Sequence, residues 1–350
     1  MNCAYNVSKE DFFLKKSSKK TIQSVGLLIF LGVGVHLLIP QLTSIQNSMD
    51  VLRNLKYWAL AIAFLCEFLS YVGSAYLLVS IVELFHNHIS IWRSLLIGLA
   101  SASFGMVAGG MFGSGAISYQ WIKKNGIKSQ AAALSSSLPL LMNNIAVLLI
   151  SLIGVVYLLI MHDLSKAQII GFLVILFLLL FVIILIILFL YRREQSSLFL
   201  FQMMKKLSKI LKRPYDEKKI TDQIHDMYQA WDIIIDRGWK KPVLGVVMNF
   251  GFDIAALYFL FIAGNHSVTP GVLLIGYGLP LLLGKAAFVI PGGVGVVEGT
   301  MVALYDKLGV PDPVTVVVVI AYRLVSFWLP SLIGFPLIAL MQKQSNKETE

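Results

Sequence analysis

The segment Pro291-Gly292-Gly293-Val294-Gly295-Val296-Val297-Glu298 interrupts a long apolar stretch and decides how the chain on either side of it is interpreted. Proline ends a helix because it lacks an amide hydrogen, and glycines permit sharp turns and close backbone approach. Irregular backbone at membrane depth is tolerated only where it is buried in protein or lines a wet cavity. The charged and broken stretch from Gly284 to Pro330 is therefore the candidate functional centre.

The composition of the chain is that of a membrane protein. Of the 350 residues, 57% are hydrophobic and only 14% are charged, whereas a soluble domain carries roughly 25% charged residues. Apolar runs of about 18 or more residues with few charges are typical of membrane spans. Such runs predict six full transmembrane helices, at residues 22–39, 57–83, 130–160, 169–191, 242–263 and 314–341.

Two further apolar segments, 91–122 and 270–308, are interrupted by glycines. Each is long enough for two short helical arms, so each is predicted to form a re-entrant hairpin with a glycine-rich tip. The predicted fold class is all-α integral membrane, with about six full transmembrane helices plus two Gly/Pro-broken re-entrant hairpins. The predicted tips contain Gly109 and Gly110 in the first hairpin, and Pro291, Gly292, Gly293 and Gly295 in the second.

The distribution of lysine and arginine favours this topology. The N-terminal tail and the loop 192–241 are rich in basic residues, which places them on the cytoplasmic side of a membrane. If both broken segments crossed the membrane fully, the basic loop 192–241 would lie outside. With two re-entrant hairpins, all basic clusters and both chain termini are predicted to be cytoplasmic.

An internal repeat is consistent with the same topology. Gly110 and Gly126 are separated by the same number of residues as Gly293 and Gly309, and a long apolar span follows in each case. By the orientation argument the two copies are inverted, as in many secondary transporters. We expect one polytopic membrane domain, 1–350, with a first repeat (22–126 plus 130–160), a cytoplasmic amphipathic insertion (192–241) and a second repeat (242–341).

Charged side chains inside apolar segments are the candidate binding residues. A charge in hydrocarbon costs roughly 2.5–3.5 kcal/mol on insertion scales and is a functional candidate by default. Lys285 or Arg323 could balance a phosphate held by helix N-terminal amides. The alternative is an internal ion pair of Glu298 with Arg323, or a bond from an acid to a hydroxyl such as Ser70. The candidates are Lys285, Glu298, Arg323, Glu67 and Asp253.

Several other classes of function are disfavoured. The net charge of +10 lies mostly outside the apolar spans, so it indicates membrane orientation and not a nucleic-acid partner. The two cysteines, Cys3 and Cys66, form neither a disulfide framework nor a metal pair. The chain has no P-loop, HExxH or GxSxG motif, and its glycine-rich segment lacks the βα context of a dinucleotide site. No metal, cofactor or catalytic residue is expected.

The last third of the chain carries a family resemblance. The pattern Pro291-Gly292-Gly293-Val294-Gly295-x-x-Glu298, followed by Gly309 and by Arg323-x-x-x-Phe327-Trp328-x-Pro330-x-x-x-Gly334, resembles the membrane region of bacterial lysylphosphatidylglycerol synthases, the multiple peptide resistance factors. This resemblance implies a flippase-like fold in the bacterial cell membrane, with two re-entrant hairpins opening to opposite faces. The family often has charged residues after the first hairpin tip, where this chain has Ser114 and Gly115.

The resemblance leads to three functional hypotheses. The first is translocation of an anionic or aminoacylated phospholipid such as lysylphosphatidylglycerol, which contributes to resistance against cationic peptides. In the full-length synthases a soluble domain follows the last span, and this chain, which ends at Glu350, is expected to lack it. The second hypothesis is therefore a phosphatidylglycerol lysyltransferase that works with a separate soluble partner. The third is a secondary transporter of a small solute or ion. The expected partners are membrane phospholipid and either a soluble transferase or a second copy of the chain.

Overall fold

The computed structural model describes residues 49–107, 111–161, 165–192, 238–287 and 290–347, together with isolated positions between 197 and 236. The regular structure of these residues is helical throughout. The predicted first span at 22–39, the tip glycines Gly109 and Gly110, and most of the predicted insertion 192–241 lie outside the described residues.

Five of the predicted spans are confirmed as helices that are long and apolar enough to cross a membrane: Tyr57–Leu84, Ala131–Met161, Lys166–Leu185, Lys240–Ala263 and Asp312–Ile338. The last of these contains a π-helical turn, Leu324–Trp328. The elements in chain order are α1 (Met49–Arg53), α2 (Tyr57–Leu84), α3 (Ile91–Val107), α4 (Met111–Lys124), α5 (Ser129–Met161), α6 (Lys166–Tyr191), α7 (Lys240–Ala263), α8 (Pro270–Ala286), α9 (Val296–Lys307), α10 (Asp312–Arg323) and α11 (Leu329–Lys347).

Helices α2 and α7 form a close antiparallel pair. At one end the Lys241 ammonium contacts the Glu83 carboxylate at 2.8 Å, and at the other the Lys56 amide donates to the Ala263 carbonyl at 3.0 Å. A Cβ atom at Gly245 would lie 2.7 Å from the Leu77 Cα atom. In lipid the hydrophobic effect does not drive helices together. Helix interfaces in membranes are therefore rich in small residues, which let the two backbones come into van der Waals contact.

Helices α5 and α8 pack in the same manner. A Cβ atom at Gly154 would lie 2.6 Å from the Ile275 amide nitrogen, and one at Gly278 would lie 2.5 Å from the Ser151 hydroxyl. The largest buried cluster of apolar side chains fills the space that α5, α7, α8, α9 and α10 enclose, and it contains the buried rings of Phe261, Tyr277 and Tyr305. This packing fixes the register of α8 against the rest of the bundle.

The two glycine-broken segments form helical hairpins. In the first, α3 and α4 are antiparallel, since Arg93 Nη1 donates to Asn125 Oδ1 at 3.0 Å across the open end. In the second, α8 and α9 are antiparallel, with Gly284 packed against Val297. The first hairpin starts near the end of α2 and the second near the end of α7. Because α2 and α7 are antiparallel, the hairpins open toward opposite ends of the bundle.

The end of α3 meets the tip of the second hairpin in the interior. Met106, near the end of α3, packs in one buried cluster with Val294, Phe327 and Trp328. This arrangement brings the glycine-rich turn of the second hairpin against both the first hairpin and the π-helical turn. Insertion of the hairpins into a membrane and an inverted repeat of the two halves stay predictions.

Candidate functional site

The tip of the second hairpin depends on glycine conformation. Residues Pro291–Gly293 form a short 3-10 turn, and Gly292, Gly293 and Gly295 have φ angles of 63°, 62° and 84°. L-residues with a side chain rarely adopt these angles. A Cβ atom at Gly292 would also collide with the Phe327 ring. The Pro-Gly-Gly-Val-Gly sequence therefore permits a tight reversal directly against the π-helical turn.

A buried ion pair lies behind this tip. Arg323 Nε donates to Glu298 Oε1 at 2.6 Å, and both side chains are almost fully buried, with exposed fractions of 5% and 1%. The second carboxylate oxygen, Glu298 Oε2, accepts the Gly295 amide hydrogen at 2.6 Å and so caps the start of α9. Arg323 Nη2 donates to the Gly292 carbonyl at 3.4 Å. The internal ion pair that the sequence left as an alternative is thus present.

The guanidinium of Arg323 also stacks on an aromatic ring. Its Cζ atom lies 3.9 Å from the centre of the Phe327 ring, within the range of a cation–π contact. Arg323 is the last residue of α10, and the π-helical turn that follows brings Phe327 to this position. π-helical turns occur frequently at functional sites.

A backbone carbonyl of the π-helical turn accepts a hydrogen bond from a side chain of another helix. In an α-helix the Ser326 carbonyl would accept from the residue four positions on, which is Pro330 and carries no amide hydrogen. The Tyr71 hydroxyl, from α2, donates to this carbonyl at 2.6 Å. A proline in the last span therefore creates the acceptor that joins α2 to the helix carrying Arg323.

A second cluster of polar groups lies between α2 and α7. The Glu67 carboxyl is close to the Asp253 carboxyl and to the Tyr71 hydroxyl. Asp253 accepts two hydroxyl hydrogen bonds, from Tyr277 at 2.7 Å and from Tyr322 at 2.9 Å. Glu67 is 4% exposed, and its Oε2 atom has no hydrogen-bond partner among the described residues. We refer to these five residues as the acid cluster.

The acid cluster and the hairpin tip meet at adjacent residues of α10. Tyr322, which donates to Asp253, precedes Arg323, which binds Glu298. Tyr71 links Glu67 to the π-helical turn. Four of the five candidate residues thus lie in two neighbouring polar clusters inside the bundle, although they are far apart in sequence.

Lys285, the fifth candidate, lies apart from these clusters. Its ammonium group donates to Asn144 Oδ1 at 2.7 Å, and the side chain of the neighbouring Asn143 has a buried oxygen without a hydrogen-bond partner in the described part of the chain. Lysine has three N–H donors, so this contact leaves donors for a further acceptor. Both asparagines belong to α5.

Sequence reasoning missed several residues of the site. The hydroxyl suggested as a partner for Glu67, that of Ser70, donates instead to Asn249 Oδ1 at 2.9 Å. The actual neighbours of the two acids are tyrosines, namely Tyr71, Tyr277 and Tyr322. A tyrosine inside an apolar span needs a partner for its hydroxyl, and that signal was available in each of the three helices.

Substitution of Gly292 by alanine is expected to destabilise the protein. The left-handed backbone costs roughly 1–2 kcal/mol for an L-residue, and the added methyl group forces the Phe327 ring away from Arg323. The thermal unfolding midpoint of the purified protein measures this loss. Gly299→Ala, in α9, is the matched control, since its Cβ atom would meet open space. Equal midpoints for the two variants would contradict the structure of the tip.

An apolar groove runs along the outside of the same region. It lies between α5 and α7 and has a volume of about 580 Å³. One face of α5 lines it, with Met142, Ile145, Ala146, Leu149, Ile150 and Ile153. Trp239 lines it at the start of α7, and Phe250 and Ile254 line it near Asp253. Asn144, the partner of Lys285, lies two residues after Met142 in α5 and therefore on the opposite face of that helix.

Five long apolar helices and glycine-mediated helix packing define the class of the chain, which is a multi-pass α-helical membrane protein. Residues 23–334 match the family described as "Lysylphosphatidylglycerol synthase TM region". The chain belongs to this family, as the pattern around Pro291 and Arg323 predicts.

Three similar proteins come from archaea. The UPF0104 membrane protein MJ1595 of Methanocaldococcus jannaschii is 28% identical over 137 residues, which are 38% of this chain and 40% of that protein. A UPF0104 membrane protein of Methanothermobacter thermautotrophicus is 27% identical over 34% of this chain and 35% of its own length. UPF0104 membrane protein PH1989 of Pyrococcus horikoshii is 31% identical over 107 residues, which are 31% of this chain and 32% of that protein. The matched stretches thus span less than half of each relative, and the bacterial source stays a prediction.

Proposed function

We propose that the chain translocates a phospholipid with an anionic or aminoacylated headgroup, such as lysylphosphatidylglycerol, across the membrane. The observation that carries the proposal is a buried network of charged groups at the place where two helical hairpins with opposite openings meet. Such a centre offers polar groups at membrane depth with an approach from either end. The description of the family, which names a lipid synthase, supports a lipid over a small solute.

Lys285 is the best candidate to bind the lipid phosphate. Arg323 is already engaged by Glu298, the Gly292 carbonyl and the Phe327 ring, so a phosphate would have to displace existing partners. Among the described residues, Lys285 donates one hydrogen bond, to Asn144 Oδ1. Acyl chains would pack in the apolar groove, which lies on the face of α5 opposite Asn144. A headgroup amine would be attracted by the net negative charge of the acid cluster.

Lys285→Ala is expected to slow translocation of phosphatidylglycerol in reconstituted vesicles about tenfold, because a charged hydrogen bond contributes about 1.5–3 kcal/mol. The assay measures how fast a labelled lipid becomes accessible to a reagent on the other side of the membrane. Lys285→Arg keeps the charge and should retain most of the rate. Lys307→Ala, at an exposed side chain on α9, is the matched control. An unchanged translocation rate in Lys285→Ala would contradict the proposal that Lys285 binds the lipid phosphate.

The orientation of the chain is part of the proposal. Lys123 and Lys124 at the end of α4 lie at the same end of the bundle as Lys240 and Lys241 at the start of α7. The positive-inside tendency assigns this end to the cytoplasm. The first hairpin then opens to the cytoplasm and the second to the outside, and both chain termini are cytoplasmic.

The lysyltransferase hypothesis has a separate test. In this hypothesis the membrane region acts together with a separate soluble transferase. Formation of lysyl-lipid from lysyl-tRNA by the purified chain alone would replace translocation as the primary function. Lipid translocation by the chain without any soluble protein would favour the proposal made here.

A further inference from the structure

Glu67 and Asp253 form a buried pair of like charges. Two carboxylates side by side in a region of low dielectric repel each other, and a proton bound to one of them removes the repulsion. Asp253 is suited to carry the negative charge, since the Tyr277 and Tyr322 hydroxyls donate to both of its oxygens. Glu67 has a buried oxygen with no hydrogen-bond partner in the described residues. A proton on Glu67 would give the two carboxyl groups the hydrogen-bond donor that they lack when both are ionised.

The charged and titratable groups around the pair come from each helix that packs on it. Helix α2 contributes Cys66, Glu67 and Tyr71, and α7 contributes Asp253. Tyr277 comes from α8, while Tyr322 and Arg323 come from α10. The positive charge of Arg323 is already balanced by Glu298, so it does not neutralise two further carboxylates.

A proton fits this site better than a metal ion. Among the described residues no group of three or more histidine, cysteine, aspartate and glutamate side chains is arranged to hold a metal. The tyrosine hydroxyls donate to Asp253, so their hydrogens point toward the place that a cation would occupy. Binding of a proton requires only one O–H bond on Glu67, and the proton comes from water and returns to it.

We propose that the Glu67 carboxyl, paired with Asp253, is a proton-binding site and that its protonation is coupled to movement of the second hairpin. Tyr322 joins Asp253 to Arg323, and Arg323 holds the Gly292 carbonyl and Glu298 at the hairpin tip. Tyr71 joins Glu67 to the π-helical turn. Loss of the proton places a second negative charge beside these contacts. Proton binding stands by itself, whereas its coupling to transport rests on the proposed function.

Infrared difference spectroscopy of the protein in vesicles tests proton binding without any transport. The unmodified protein is expected to show the carbonyl stretch of a protonated carboxylic acid at neutral pH, and this band should disappear as the pH is raised. The band should be absent in Glu67→Gln. It should persist in Glu83→Gln, which removes a partly exposed carboxylate from the same helix. No such band in the unmodified protein, or its persistence in Glu67→Gln, would overturn the proposal.

A pH gradient across the vesicle membrane tests the coupling. The rate of lipid translocation by the unmodified protein is expected to change several-fold with the direction of the gradient, and Glu67→Gln should not respond to the gradient. A translocating protein whose rate ignores the gradient would overturn the coupling. A protein that moves no lipid at all would refute the proposed function, and the infrared band would still decide the proton site.

Discussion

Arg323→Ala is expected to cause the largest loss of stability and of lipid translocation among single substitutions at the hairpin tip. The variant leaves the Glu298 carboxylate buried without its cation, and the Gly292 carbonyl loses a donor. Breaking a buried ion pair from one side costs about 3–5 kcal/mol. Thermal unfolding of the purified protein measures this cost, and vesicle assays measure the loss of transport.

The double variant Arg323→Ala/Glu298→Gln separates a structural role of the pair from a role in binding. Removal of the unpaired charge should restore a large part of the lost stability, because the two substitutions share one interaction. If Arg323 only locks the hairpin, translocation should recover together with stability. Recovery of stability without transport would show that the charged pair itself is needed for translocation. Equal unfolding midpoints for the single and double variants would contradict the ion pair itself.

Gly245→Ala is expected to force α2 and α7 apart and to disturb the acid cluster between them. The added methyl group would lie 2.7 Å from the backbone of Leu77, and a helix backbone cannot move aside as a side chain can. Overpacking of this kind typically costs about 1–3 kcal/mol. The expected results are a lower unfolding midpoint and slower lipid translocation.

Gly251→Ala, in the same helix, isolates the packing effect. A Cβ atom at Gly251 would meet open space, and alanine favours a helix over glycine by about 1 kcal/mol. This control should unfold at the same temperature as the unmodified protein or at a higher one. If Gly245→Ala behaved like Gly251→Ala, the close contact of α2 with α7 would be refuted.

The positions of the helices could be predicted from the sequence because they depend on local composition. Long apolar runs predict the five confirmed spans, and the glycines after Pro291 predict a break between α8 and α9. The pairing of Glu298 with Arg323 could be anticipated as an alternative, since two opposite charges in one apolar segment need partners. These inferences require no knowledge of how helices are arranged in space.

The acid cluster could not be predicted in the same way. Its formation depends on the register of α2 against α7, which is set by backbone contacts at Gly73 and Gly245. Helices α8 and α10 have one tyrosine each, Tyr277 and Tyr322, but nothing in the local sequence indicates that both face Asp253. The contact of Lys285 with Asn144 likewise depends on the register of α8 against α5. Pairing registers are properties of two helices together, and a single sequence carries little direct information about them.

The bond from Tyr71 to the Ser326 carbonyl has a mechanical consequence for the last helix. The ladder of the helix is already interrupted at this carbonyl because of Pro330. The segments on either side can therefore bend relative to each other at the cost of one hydroxyl hydrogen bond, about 1 kcal/mol. A hinge that is held by a side chain of another helix bends only as that helix allows, so α2 can set the angle at which the last helix carries Arg323.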